Sequence, residues 1–155
     1  LHVFGRHIRD IEDKWDAIAP YRYHIVLENY SSPHYWSEKL GDTFLGWAHP
    51  FYYGCTNVHE YFPSGSLTPI DIYSPELAVE TIESAISQDR FEANQKQMHV
   101  ARSLVLNDYN LFNAAVERIR SGPAHAQTIT LQPEAAFRGI VHRVAARLHR
   151  TRYAL

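Results

Sequence analysis

Tyr21-Arg22-Tyr23-His24-Ile25-Val26-Leu27-Glu28-Asn29 is the stretch whose reading decides the fold. Its β-branched and aromatic residues predict a strand from Tyr21 to Leu27, with Glu28 and Asn29 at its carboxyl tip. Just downstream, Ser32-Pro33 suits the cap and first position of a helix. Trp36, Leu40, Phe44 and Trp47 then recur at helical spacing, which predicts a helix opening near Ser32. Pro50-Phe51-Tyr52-Tyr53-Gly54 follows as a second strand closed by glycine. A strand, a helix and a strand within roughly thirty residues form a crossover unit with parallel strands. Ligands of such sheets sit at the carboxyl ends of the strands.

The pattern extends both ways. Upstream, Leu1 to Gly5 reads as a strand ending in a glycine turn, expected near the middle of the sheet. Ile11, Trp15, Ile18 and Ala19 follow at helical spacing, with Pro20 as the stop. Downstream, Val58 to Phe62 reads as a helical turn before Pro63, and Leu67 to Ile72 as another strand. Ser74-Pro75-Glu76 opens a helix with Ala78, Ile82, Ala85 and Ile86 inward. Residues 89–120 read as one long helix or two, with Asn107-Asp108-Tyr109-Asn110 as the break and Gly122-Pro123 as the stop. The expected fold class is therefore α/β, a parallel sheet with helices on both faces. The expected domains are 1–122 and an extension, 123–155. In the extension, Gln127 to Leu131 reads as a strand. A helix over 134–152 would set Phe137, Val141, Val144 and Leu148 against a face of Arg138, Arg143, Arg147, Arg150 and Arg152.

Composition narrows the classes. With 155 residues, 45% hydrophobic and 21% charged, the chain can build a core. A formal net charge of -2 argues against a nucleic-acid partner. The one cysteine, Cys55, rules out an internal disulfide and reads as a small buried residue. The ten histidines are scattered without metal-ligand spacing, so no metal is expected, and His24 and His49 read as packing residues with one hydrogen bond each. Tyr52, Tyr53, Tyr61 and Phe62 read as core more readily than as a stacking platform. The chain starts without methionine inside what reads as a strand, so a fragment of a longer protein is expected.

Between Tyr21 and Gly54 the sequence resembles the donor-site signature of family-ten fucosyltransferases. The carriers are Tyr21 to Asn29, then Tyr35-Trp36-Ser37-Glu38-Lys39, then Pro50 to Gly54 followed by Asn57. Val3-Phe4-Gly5-Arg6 resembles the family's first strand, and the likeness covers residues 1–120. It implies a Rossmann-like C-terminal lobe of a two-lobed GT-B glycosyltransferase. By the same resemblance, Asn29, Tyr35, Glu38 and Lys39 contact a GDP-sugar. The implied reaction moves L-fucose from GDP-fucose to a glycan hydroxyl with inversion. Its general base and its glycan acceptor site would lie in an N-terminal lobe that this chain lacks, so the chain alone should be inactive. No catalytic base is assigned here.

Physical chemistry supports those roles. A helix starting near Ser32 would aim free N–H groups and partial positive charge at a diphosphate. Lys39 would add a full charge, Glu38 would accept ribose hydroxyls, and Glu28 would be structural or supporting. No cofactor beyond the nucleotide-sugar substrate is expected. Two alternatives stay open: a lobe for another nucleotide sugar, and a non-catalytic nucleotide-binding or interaction module. The expected setting is a bacterial cytoplasm, in glycan biosynthesis. The basic helix 134–152 suits a solvated face, contact with the other lobe, or the surface of the inner membrane.

Overall fold

The computed structural model describes residues 1–5 and 7–122. Its elements run α1 (Lys14–Ile18), β1 (Tyr23–Leu27), α2 (Glu38–Leu45), β2 (His49–Tyr53), a 3-10 turn (Val58–Glu60) and β3 (Thr68–Pro69). Four further helices follow: α3 (Pro75–Ser87), α4 (Arg90–Ala93), α5 (Gln95–Asn107) and α6 (Leu111–Arg120). The three strands form one parallel sheet in the order β1-β2-β3. The architecture is α/β and compatible with a Rossmann-like fold. All of these elements belong to one compact unit, Leu1–Arg120. The expected strand 127–131 and helix 134–152 lie outside the described residues. No helix among the described residues is long and apolar enough to cross a membrane.

Strand alternation sorts the two faces. Val26 of β1 and Tyr52 of β2 point the same way and join Leu40, Phe44, Cys55, Phe62 and Ala101 in the core. Tyr23 and Phe51 face the other way, stacked 5.5 Å apart, with Phe91 of α4 edge-on to Tyr23. Helices therefore cover both faces, α2 on one and α4 on the other. The strong apolar side of α2 makes this possible, since Leu40 and Phe44 are one turn apart and fully buried.

Four expectations need correction. Leu1 to Gly5 is not a central strand. Leu1 is 98% exposed, and Gly5 instead closes a local turn through its N–H to the Arg9 carbonyl at 3.0 Å. The backbone N–H and carbonyl of Gly5 are used within that turn, and among the described residues β1 is an edge strand with β2 as its neighbour. The helix expected from Ser32 starts at Glu38, capped by Ser37, so Trp36 precedes it and Trp47 lies past its end. His34 explains the late start: its φ of 63° cannot continue a right-handed helix. The strand expected over Leu67 to Ile72 shrinks to Thr68–Pro69; Pro69 lacks an N–H for a ladder. Ile86, expected inward on α3, is 49% exposed, whereas Ala85 is buried. The break at Asn107 to Asn110 stands between α5 and α6, and a second break falls at Asn94.

Candidate functional site

The site is built at the carboxyl tip of β1. There Glu28 extends the ladder, its N–H donating to the Tyr53 carbonyl at 2.9 Å, while its side chain turns inward. Glu28 is only 6% exposed, so its carboxylate needs donors. Ser37 supplies two: its N–H reaches Oε1 at 2.8 Å and its hydroxyl reaches Oε2 at 2.7 Å. The same hydroxyl oxygen accepts the Lys39 N–H at 3.3 Å, which caps α2. A negative group at a helix N-terminus is also favoured by the helix dipole. Glu28 thus joins the tip of β1 to the cap of α2.

This arrangement corrects the expected anion site. The amino end of α2 is capped at Ser37 rather than Ser32, and the N–H and hydroxyl of that cap already serve the chain's own carboxylate. Gly54 keeps this packing tight: a Cβ there would overlap Glu28 Cγ and come within 2.6 Å of the Tyr52 hydroxyl. Burial pushes the Tyr52 phenol well above its usual range. Donation from the Cys55 N–H, at 2.9 Å, opposes that shift, and the nearby Glu28 charge adds to it.

Of the four candidate donor residues, the structure joins two. The Lys39 ammonium donates to the Leu27 carbonyl and to Asn29 Oδ1, both at 2.8 Å. An ammonium has three donors, so among the described residues one N–H is left for an incoming oxygen. Glu38, the first residue of α2, is exposed and makes no hydrogen bond or ion pair among the described residues. Tyr35 lies before the cap, 40% exposed, with its ring edge-on to Tyr30. Trp36 packs instead of lining a pocket, with ring centroids 5.1 Å from Phe62 and 5.3 Å from Tyr109.

Two hollows adjoin these residues. One, of about 1060 Å³, runs along the open edge of β1 between Leu1–Gly5, α1 and Ile82, and of the four candidates only Lys39 lines it. The other, of about 370 Å³, lies at the carboxyl ends of β2 and β3, lined by Ser31, Tyr53, Gly54, Thr56, His59 and others. The four candidates share neither of these two hollows.

No family model, curated protein or solved structure matches this chain. Cys55 is buried, as expected, and its thiol donates to Asn57 Oδ1 at 3.2 Å. His24 and His49 each have one partner, Thr43 at 2.9 Å and Thr68 at 2.9 Å, also as expected. Tyr52 and Phe62 are buried, whereas Tyr53 and Tyr61 are partly exposed. Among the described residues no three His, Cys, Asp or Glu side chains cluster as metal ligands would.

One group had no signal in the sequence. Asn57 Oδ1 accepts the His34 N–H at 2.7 Å, and His34 Nδ1 lies 2.7 Å from the Tyr61 hydroxyl. Ser31 donates to the Gly54 carbonyl at 2.7 Å, a second stitch between the same two loops. The loop from Tyr30 to Trp36 is thereby tied to the β2–β3 connection. Asn57 belongs to the quoted motif, but nothing in the spacing shows that it meets His34.

Proposed function

We propose that this chain is the donor-binding lobe of an inverting GT-B glycosyltransferase that moves L-fucose from GDP-fucose to a glycan hydroxyl. The observation that supports it best is the meeting of Lys39 and Asn29 at the carboxyl tip of a parallel strand, with one ammonium donor left over. In this reading the ammonium bonds the departing diphosphate, where negative charge grows as the glycosidic bond breaks. Glu38, exposed and without an ion pair among the described residues, accepts ribose hydroxyls, and Tyr35 flanks the sugar. Buried Glu28 is saturated by Ser37 and shapes the crevice without meeting the phosphates. The base that deprotonates the acceptor belongs to another part of the enzyme.

Calorimetry with GDP, GDP-fucose and UDP tests the reading. GDP and GDP-fucose are expected to bind and UDP much more weakly. Equal affinity for UDP points to another nucleotide sugar, and no binding of any of the three removes the donor reading. One observation favours a second reading, a non-catalytic nucleotide-binding or interaction module. Helix α6 leaves Leu111 and Phe112 each 78% exposed and Ile119 80% exposed, a face suited to a protein partner. GDP binding without any turnover of GDP-fucose by the full-length protein would select it.

A further inference from the structure

His34 holds a conformation that side chains rarely adopt. Its φ of 63° lies in the left-handed region, where a non-glycine residue is strained unless its surroundings hold it there. Asn57 is the group that holds it. Its Oδ1 accepts the His34 N–H at 2.7 Å, and its Nδ2 lies 3.0 Å from the His34 ring. The Cys55 thiol donates to the same Oδ1 at 3.2 Å and fixes which end of the amide faces the backbone. The next residue along the chain is Tyr35, and beyond it Ser37 is fixed by Glu28. Tyr35 is thus pinned from both sides, by an amide from the β2–β3 connection and by a buried carboxylate from β1.

We propose that Asn57 is a positioning residue, which sets Tyr35 at the donor crevice by holding His34 in the left-handed conformation. The proposal rests on the donor reading of Tyr35. It adds that the β2–β3 connection, which carries none of the four donor candidates, determines where one of them, Tyr35, sits. Without the Oδ1 acceptor, the His34 N–H loses its partner and the residue relaxes to negative φ. That rotation redirects the chain at Tyr35, so ligand binding must then order the loop afresh.

Two measurements on the full chain test it: GDP affinity, and the intraresidue Hα–HN NOE of residue 34, which is strong only at positive φ. Asn57→Ala is expected to lose the strong NOE and to weaken GDP binding about tenfold, roughly 1.4 kcal/mol. His34→Gly in that background is expected to recover part of the affinity, because glycine adopts positive φ freely. Asn57→Asp keeps the acceptor and should keep the NOE, which covers the case in which Asn57→Ala does not fold. A strong NOE persisting in Asn57→Ala, its loss in Asn57→Asp, or its loss in Asn57→Ala without change in affinity overturns the proposal. Failure of the unaltered protein to bind GDP removes the donor reading, and the NOE alone then decides whether Asn57 sets the loop.

Discussion

Glu28 and Lys39 separate what holds the site together from what it offers a ligand. Glu28 is buried and spends both carboxylate oxygens on Ser37. Glu28→Ala removes two charge-assisted hydrogen bonds and strands the Ser37 N–H, so it is expected to cost about 2–4 kcal/mol in urea unfolding. Glu28→Gln, which fills the same space and keeps one acceptor, should cost less; an equal loss would mean that the charge and the second acceptor oxygen, not the filled space, matter. Lys39 is the opposite case. Its two bonds are made at the exposed rim, so Lys39→Ala should change stability by less than about 1 kcal/mol. It should weaken GDP binding about tenfold or more, since a charge-assisted contact is worth about 1.5–3 kcal/mol. Unaltered binding in calorimetry would reduce Lys39 to a surface charge. The sequence alone placed Glu28, Asn29 and Lys39 near one another, because a strand tip and the following helix are close neighbours in the chain. It could not show that Glu28 fills the helix terminus, since that depends on which way a side chain turns at the end of β1.

At the level of elements, reading succeeded where the signal was local. The hydrophobic stripe of α2 and the aromatic run of β2 need only their own residues to be recognised, and both elements are present. The start of α2 and the pairing of Leu1–Gly5 depend on distant partners. Asn57 stops a helix at His34, and the Gly5–Arg9 turn withdraws the first strand from the sheet. Neither contact leaves a periodic trace. The packing of α2 gives the sharpest test of the core. Phe44 is 1% exposed and meets Phe62 at a ring-centroid distance of 4.8 Å. Phe44→Ala should cost about 3–5 kcal/mol in chemical unfolding. Phe112→Ala on α6, at 78% exposure, should stay within about 0.5 kcal/mol. A comparable loss at Phe112 would mean that this face of α6 is covered in solution.

Across the unit Leu1–Arg120, two histidines that fold uncharged tie the sheet, one to its covering helix and one from strand to strand. His24 in β1 reaches Thr43 of α2, and His49 at the head of β2 reaches Thr68 of β3. Burial, and to a lesser extent Arg90, lowers the His49 imidazole from 6.5 to about 4. Burial, then Lys14, lowers His24 as well. His49 Nδ1 has no hydrogen-bond partner among the described residues, so a proton placed there would be buried without an acceptor. The unfolded chain takes up these protons near pH 6.5 and the folded chain only at lower pH. Between those limits the unfolded state binds more protons, and stability falls as pH falls. The histidine contribution is fully present above pH 6.5 and, for His49, is lost progressively down to about 4. His49 held neutral adds a slope of up to about 1.4 kcal/mol per pH unit in that window. Urea unfolding between pH 7.5 and pH 4.5, which covers most of that window, is the measurement. His49→Phe keeps a ring in the space but cannot titrate. It is expected to lose some stability at pH 7.5, where the Thr68 bond is missing, and to show a shallower decline towards pH 4.5. Equal slopes for the unaltered protein and His49→Phe would mean that His49 takes up its proton in the folded sheet as readily as in the unfolded chain.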